Sequence, residues 1–333
     1  MALAGGMARA PGAVVLVTGG VGFVGSHVVE AVVARGDDVV VLDVVPPGPA
    51  VEVVGSRPEG ARGRLEYVTG DVTDQRLVRE VLTGHRATAV VHAAGLLGEP
   101  ASRRHPRRFL EVNAEAVWDL CETLRTVSGV CRTVTLSSRS VYGAYRAEEG
   151  PVPEDAAPRP VAIYGASKAA ADLVVGCYRG QFGVDVVAAR ITGPYGAGQR
   201  YLTAVGDMLV AVASGKPYRG AGADDCYETV YVKDTVRGIL ALLDAPVLAH
   251  PIYNVGNGRL DSLADIADAI RHVEPSAQIE LRAGSTEAVP RAAMSVERIR
   301  EELGFQPRWR LRDGLRDALA SMRAGAGPGG ATR

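Results

Sequence analysis

Runs of apolar residues set the rhythm of the first half of this chain. Ala13-Val14-Val15-Leu16-Val17 is apolar without a break, and Val39-Val40-Val41-Leu42 repeats the pattern after one helix-length interval. Runs of this kind suit strands of a parallel sheet with both faces covered. The stretch between them, Ser26 to Arg35, has helical character, and Gly36 stops it. The alternation continues. Strands are predicted at Leu65–Val68, Thr88–His92, Arg132–Leu136 and Val184–Ala189, and helices at Gln75–Leu82, Phe109–Arg125 and Ile163–Phe182. Strand and helix in alternation imply a doubly wound α/β fold with a parallel sheet of Rossmann type. Beyond Arg190 the rhythm breaks into irregular stretches and separate helices near 203–214, 232–243, 263–272, 296–303 and 311–322. The expected organisation is a dinucleotide-binding domain over 12–190, to which 228–256 returns. A smaller, mostly helical substrate lobe covers 191–227 and 257–323, with flexible tails at 1–11 and 324–333. A Pro/Gly-rich loop fills Pro46 to Gly63.

The punctuation between these elements carries chemistry. The first strand runs into Thr18-Gly19-Gly20-Val21-Gly22-Phe23-Val24-Gly25. Gly19 and Gly22 permit a tight turn and close backbone approach to a pyrophosphate, and Gly25 lets the helix pack on the strand. The phosphates then meet a helix N-terminus, where unpaired N–H groups and the helix dipole favour anions. Asp43 ends the second strand about twenty residues on, where a carboxylate accepts hydrogen bonds from a ribose. An acid there repels a 2′-phosphate, which selects NAD over NADP.

The second signal is Tyr164-Gly165-Ala166-Ser167-Lys168. Tyrosine and lysine four apart share one helix face. An ammonium beside a phenol stabilises the phenolate and lowers its pKa from the ordinary value of about 10. Such a phenol can act as a base toward an alcohol near neutral pH. The chain has three lysines, Lys168, Lys216 and Lys233, so the placement of one here is informative. Ser138, at the end of a predicted strand, is the third candidate catalytic residue.

Composition narrows the field. The 333 residues carry a formal net charge of −1 and 5% aromatics, which argues against nucleic acid and anionic membranes as partners. Cys121, Cys131, Cys177 and Cys226 form no Cys-x-x-Cys, and the six histidines show no ligand spacing with them; buried thiols, no metal and a reducing compartment are expected. No apolar run reaches the length of a membrane span or a signal-peptide core, so a soluble cytoplasmic protein is expected.

The ordered motifs, from Val14 to Leu319, resemble the extended short-chain dehydrogenase/reductases. Within them they resemble the NAD-dependent epimerase/dehydratase group that includes UDP-galactose 4-epimerase. Besides the glycine loop, they are Gly70-Asp71-Val72, His92-Ala93-Ala94-Gly95, Asn113, Leu136-Ser137-Ser138-Arg139-Ser140-Val141-Tyr142-Gly143, Tyr164 to Lys168 and Tyr195-Gly196. Val230-Tyr231-Val232-Lys233-Asp234, Tyr253-Asn254-Val255-Gly256 and Leu303-Gly304-Phe305-Gln306-Pro307 follow. The resemblance implies NAD held by Gly19, Gly22, Phe23, Val24, Gly25, Asp43, Asp71, Val72, Ala93, Ala94, Gly95, Asn113, Tyr164 and Lys168. Asp71 would meet the adenine amino group, and the small Ala93, Ala94 and Gly95 would lie against the dinucleotide. Ser138 would hydrogen-bond the reacting oxygen, Tyr164 would be the base, and Lys168 would bind the nicotinamide ribose. It also implies a homodimer built on two such helices.

Departures from the family pattern shape the rest. Dehydratases of the group carry an Asp-Glu pair where this chain has Arg139 and Ser140, which disfavours 4,6-dehydration; a glutamate common in decarboxylases is also missing at Ser140. Nucleotide-sugar epimerases usually have an asparagine at Gly193 and an arginine at Tyr227, whereas Arg282 matches a second pyrophosphate-binding arginine. Arg200 or Arg219 are candidate replacements. Arg139 has two readings. In one it binds a carboxylate or phosphate on the substrate, such as a uronic acid. In the other it turns to solvent or pairs with Glu148, Glu149 or Glu154. Arg103-Arg104-His105-Pro106-Arg107-Arg108 is a solvated surface, or Arg103 or Arg104 steers an anionic substrate. The substrate-binding set is thus Ser138, Arg139, Gly193, Arg200, Tyr227 and Arg282. The expected activity is NAD-dependent epimerisation of a sugar or sugar nucleotide. Net oxidation or reduction of a small metabolite, and NAD binding without catalysis, are the competing readings.

Overall fold

The computed structural model describes residues 13–46, 63–199, 203–286 and 292–325. The readings made for Met1–Gly12, for most of Pro46–Gly63, for Arg200 and for most of the C-terminal tail lie outside the described residues. Seven strands form one parallel sheet: β1 (Val14–Thr18), β2 (Asp38–Asp43), β3 (Leu65–Thr69), β4 (Ala89–His92), β5 (Arg132–Ser138), β6 (Val186–Ile191) and β7 (Ile252–Val255), in the spatial order β7-β6-β5-β4-β1-β2-β3. The strand order reverses between β1 and β4, and in such sheets ligands bind in the crevice beyond the strand C-termini at that point. Val15, Leu16 and Val17 are all buried completely, so successive side chains on β1 meet helices on both faces. One face packs against α1 (Phe23–Ala34) and α6 (Val232–Asp244), through Val28, Val32, Ile239 and Leu242. The other packs against α2 (Gln75–Gly84) and α3 (Ala116–Thr126), through Val78, Leu82, Ala116 and Leu120. Each such aliphatic side chain contributes roughly 1.5–3 kcal/mol by leaving water.

The long helix α4 (Ile163–Phe182) lies beside α3 and packs on β5 and β6. It ends at Gly183, which takes the left-handed φ of 68° that stops the helix without steric cost. A separate core gathers α5 (Ala204–Ala213), α7 (Leu263–Val273) and α8 (Leu311–Gly325) around Met208, Leu209, Ile266, Ile270 and Leu315. This smaller lobe also contains three two-stranded pairings, Pro194–Tyr195 with Val230–Tyr231, Cys226–Tyr227 with Asp261–Ser262, and Tyr218–Ala221 with Ile279–Arg282.

Four local features differ from the sequence expectation. Helix α1 starts at Phe23 and not Ser26, because Gly22 caps it directly and the glycine turn runs straight into the first helical turn. β6 begins and ends two residues later than expected. The helix expected over 109–125 is broken by a π turn at Glu111–Glu115. That turn turns Asn113 inward, where it exchanges hydrogen bonds with the Leu96 backbone, accepting at 2.8 Å and donating at 3.1 Å. These bonds offset the poorer helical geometry, and such turns recur at functional sites. The thiols are not all buried: Cys121 is, Cys226 is partly so, and Cys131 and Cys177 are exposed. Cys131 sits in the loop before β5 and Cys177 on the outer side of α4.

Beneath the cleft runs a buried charge network. Arg190 on β6, one of the largest fully buried side chains, donates from Nε to Asp172 of α4 at 2.8 Å and from Nη1 to the Tyr142 hydroxyl at 2.7 Å. The Tyr142 hydroxyl donates to Asn254 Oδ1 at 2.8 Å, and the Asn254 backbone N–H donates to Glu154 Oε1 at 2.9 Å. Removing one member of such a pair strands the other charge out of water. Asp172→Asn is therefore expected to lower the unfolding free energy by about 3–5 kcal/mol, read from urea titration of the purified protein. A loss below about 1 kcal/mol, the size expected of a surface pair, would show that Arg190 has another source of charge compensation.

Candidate active site

The C-terminal ends of β1, β4 and β5 converge on one cleft. The glycine turn after β1 is shaped by contacts that admit no side chain. Gly19 has φ +67°, and a Cβ on it would stand 2.5 Å from the Ala94 amide nitrogen. A Cβ on Gly25 would stand 2.1 Å from the Gly19 carbonyl oxygen. No side chain caps the N-terminus of α1, so its first amides are left to an anion, and Phe23 and Val24 lie in that first turn. Asp43 ends β2 beside this turn, accepting from the Val21 amide at 3.0 Å on one oxygen and from Val45 at 3.0 Å on the other. Each oxygen keeps a further lone pair for a ribose hydroxyl. Ala93, Ala94 and Gly95 form the adjoining wall. A Cβ on Gly95 would stand 3.0 Å from Asn113 Oδ1 and 3.2 Å from Lys168 Nζ. The donor set and the cradle fit a dinucleotide.

Asp71 stands next to buried Val72, and its carboxylate is already engaged. One oxygen accepts from the Thr73 amide and hydroxyl at 3.0 and 2.9 Å, and the other pairs with Arg108. These donors hold the carboxyl below the usual aspartate range against the burial that raises it. Arg107 pairs with Glu111, while Arg103 and Arg104 are exposed.

The chemistry-bearing side chains come from β5 and α4. Ser138 is the last residue of β5 and is buried, and its Oγ accepts from the Ser140 amide at 3.1 Å. Gly165 lets α4 close on the turn after Ser138, since a Cβ there would stand 2.4 Å from the Ser140 carbonyl oxygen. That contact brings Tyr164, half-buried and edge-on to Phe109 at 6.4 Å between ring centroids, to the Ser138 side of the cleft. One turn on, Lys168 is buried and donates to the Leu136 carbonyl at 2.7 Å. Ser167 donates to the Tyr164 carbonyl at 2.8 Å and accepts from Asn113 Nδ2 at 3.1 Å, so the β4 loop, the π turn and α4 are fixed to one another. His92 is buried against the Thr18 hydroxyl at 2.8 Å, and burial pulls its pKa down to about 3, which keeps it neutral.

The residues expected on the substrate side are more dispersed. Gly193 has φ +38°, and a Cβ on it would stand 2.2 Å from the Glu228 carbonyl oxygen. No asparagine fits there with this backbone. Tyr227 packs partly buried in the smaller lobe's core, and Arg282 ends its strand exposed. Arg219 pairs with Glu280 at 3.0 Å on the surface. Arg139 does not turn to Glu148, Glu149 or Glu154. Its Nη2 donates to the Ala292 carbonyl at 2.7 Å, and its charge acts on buried Glu228. Glu149 pairs with Arg159, and Glu154 faces Arg298 and Arg190. Glu228 and Phe109 escape sequence reading, because a lone acid and a lone aromatic carry no spacing signal.

A dinucleotide cradle whose rim carries serine, tyrosine and lysine defines a class of proteins, the nicotinamide-dependent enzymes that act on carbinol carbons. Comparison with known proteins narrows the class. Residues 15–256 match the model of the NAD dependent epimerase/dehydratase family. A UDP-glucose 4-epimerase of Azospirillum brasilense is 31% identical, the alignment covering 96% of this chain and 97% of that one. A dTDP-glucose 4,6-dehydratase of Streptomyces niveus is 30% identical, covering 90% of each chain. The solved structure of MoeE5 in complex with UDP-glucuronic acid and NAD superposes with a TM-score of 0.78 at 27% identity, covering 93% of this chain and 99% of that one. The chain belongs to the NAD-dependent epimerase/dehydratase family, and it is an enzyme of that family.

Burial pulls the Lys168 pKa from 10.5 down to about 8, with the Asp172 charge opposing the shift. The sign of the linkage follows. Between pH 8 and 10.5 the unfolded chain holds this proton and the folded chain does not, so the group's contribution to stability rises with pH across that window. The stability of wild type relative to Lys168→Met is therefore expected to increase from pH 8 to pH 10, measured by urea unfolding at stepped pH. A flat difference would mean that the folded ammonium keeps an ordinary pKa.

Proposed function

We propose that this enzyme is an NAD-dependent nucleotide-sugar epimerase that inverts a sugar carbinol, acting on UDP-hexoses or UDP-hexuronates. The observation that carries the reading is the packing of α4, which carries Tyr164 and Lys168 one turn apart, on the turn after Ser138 through Gly165, with Arg139 and Ser140 following Ser138 in place of acids. NAD, when bound, supplies a redox partner that takes a hydride from the substrate carbon and gives it back. Gly19, Gly22, Phe23, Val24 and Gly25 would hold its phosphates, Asp43 the adenosine ribose, Asp71 and Val72 the adenine edge, and Ala93, Ala94, Gly95 and Asn113 the wall beneath it. Tyr164 Oη accepts the carbinol proton, and Ser138 Oγ hydrogen-bonds the same oxygen as charge grows on it. Lys168 would hold the nicotinamide ribose, and its positive charge favours the phenolate. On the return step Tyr164 gives the proton back, so no net oxidation accrues. Dehydration needs an acid to protonate a leaving hydroxyl and a base to take a carbon-bound proton; Arg139 and Ser140 offer neither. Arg282 is the proposed anion contact on the lobe.

The relatives named for UDP-glucose and UDP-glucuronic acid supply the substrates to try. Wild type is expected to interconvert the C4 epimers of one of these, followed by proton NMR, without lasting absorbance at the reduced-nicotinamide band. Tyr164→Phe is expected to lower turnover by roughly 10²–10⁴-fold while NAD binding persists. Stoichiometric accumulation of NADH would replace epimerisation by net dehydrogenation, and near-normal turnover of Tyr164→Phe would remove the phenol from the chemistry.

The same reading includes a cytoplasmic homodimer. Trp118 of α3 and Leu173 and Phe182 of α4 are large apolar side chains left exposed on adjoining helices, Leu173 at 63%, and such a patch fits a second copy. The four cysteines are free thiols, which suits a reducing compartment. Among the described residues no helix is long and apolar enough to cross a membrane. Sedimentation of wild type is expected to give a dimer and of Leu173→Glu a monomer; two monomers would leave this face without a partner.

A further inference from the structure

Residues 292–295 form a strap that crosses from the substrate lobe to the turn following the catalytic serine. Arg139, next in sequence to Ser138, holds its near end through the Ala292 carbonyl at 2.7 Å. Two residues on, the Met294 amide donates to Glu228 Oε2 at 2.9 Å. The other Glu228 oxygen accepts from the amides of Asn257 and Gly258 at 3.0 and 2.9 Å. The same residue's backbone oxygen lies where a Gly193 side chain would be and accepts from Thr192 Oγ1 at 3.3 Å. Gly256 is bare for a like reason, since a Cβ on it would stand 2.3 Å from Glu228 Oε1. The strap's backbone is zipped to the first domain by Val152, whose amide donates to Ala293 at 2.8 Å and whose carbonyl accepts from Ser295 at 2.9 Å. Thus Glu228 gathers the end of β6 through its backbone carbonyl and the end of β7 and the strap through its buried carboxylate, and the charge of Arg139, which holds the same strap at Ala292, acts on it.

We propose that Arg139 and Glu228 are a paired positioning device that fixes the strap and so sets Ser138 at working distance from the substrate lobe. The proposal rests on the catalytic reading of Ser138. A guanidinium bonded to the strap carbonyl and acting on a buried carboxylate is poorly placed to take a substrate anion as well, because that anion would draw it away from the strap. Burial raises the Glu228 carboxyl pKa, while the three amides and Arg139 favour its ionised form. Loss of Arg139 would leave that buried charge held by amides alone and free the turn that carries Ser138.

The test compares Arg139→Met, Arg139→Lys, Glu228→Gln and the Met/Gln double variant, with NAD saturating and both UDP-glucose and UDP-glucuronic acid as substrates. Arg139→Met and Glu228→Gln are expected to lower kcat by roughly 10–100-fold for whichever sugar is turned over, with KM unchanged. Arg139→Lys is expected to recover part of the rate. The double variant is expected to be no slower than the slower single, as for residues acting as one unit. A loss confined to UDP-glucuronic acid and expressed in KM would overturn the proposal and make Arg139 a substrate ligand; additive losses would overturn the pairing. If wild type turns over neither sugar, the epimerase reading fails, and the pair is then judged by urea unfolding of the same four variants. Non-additive stability losses there support the pair, and additive ones sink it. Should Arg139→Met not fold, Arg139→Lys with Glu228→Gln completes the same cycle.

Discussion

A buried ammonium sets the terms for this cleft. Lys168 is buried on α4 with the Leu136 carbonyl of the interior strand β5 on its Nζ, and an ion in that position is costly unless charge of the opposite sign is near. Asp172 supplies it from the next turn of α4, and Arg190 in turn answers Asp172 at 2.8 Å. The hydrogen-bond network continues through Tyr142 and Asn254 into β7, and Asn254 Nδ2 donates to the Ser295 carbonyl at 2.9 Å. The Lys168 charge is therefore balanced by Asp172 on α4, which Arg190 on β6 holds in place, and hydrogen bonds join that network to β7 and the strap. This ties the placement of Lys168 to correct packing of strands distant in sequence.

Close approach is the complementary constraint. Three bare positions, Gly25 on Gly19, Gly95 on Asn113 and Gly165 on Ser140, bring α1, the β4 loop and α4 to distances at which a methyl group would collide or crowd. Each concerns a different wall of the cleft. A small shift at any of them moves a reacting group relative to the dinucleotide, and misplacement of about 1 Å is enough to cost orders of magnitude in rate.

Much of this was legible in the residues themselves. The apolar runs at 14–17 and 39–42 have no other stable use than a doubly covered sheet, and Gly19 to Gly25 followed by Asp43 marks where its ligand lies. Tyr164 and Lys168 share a helix face by spacing alone. What could not be read is whatever depends on pairing across the fold. The π turn at 111–115 follows from three hydrogen bonds that Asn113 makes to the β4 loop and Ser167, none of them local. Arg139 next to a serine suggested an anion, yet its partner is a carbonyl 153 residues away. Cys131 and Cys177 were expected inside because cysteine commonly is; exposure of a given helix or loop position is set by neighbours that composition does not reveal.

The two halves of the cleft are under different physical control. On the sheet side Ser138 Oγ accepts from the Ser140 amide and Lys168 Nζ donates to the Leu136 carbonyl, both anchored on β5 and the turn that follows it. On the lobe side the contact positions rest on short two-stranded pairings, and Gly193 and Tyr227 stand where epimerases of the family usually have asparagine and arginine. The 2.2 Å that would separate a Gly193 Cβ from the Glu228 carbonyl closes that position to an asparagine. Arg282, by contrast, stands exposed at a strand end of the lobe. Glu228 thus bears on two walls at once. Its backbone excludes a side chain at Gly193, while its carboxylate holds the strap that Arg139 also holds, one residue beyond Ser138. A change in substrate preference at this wall cannot be made without touching the residue that anchors the strap.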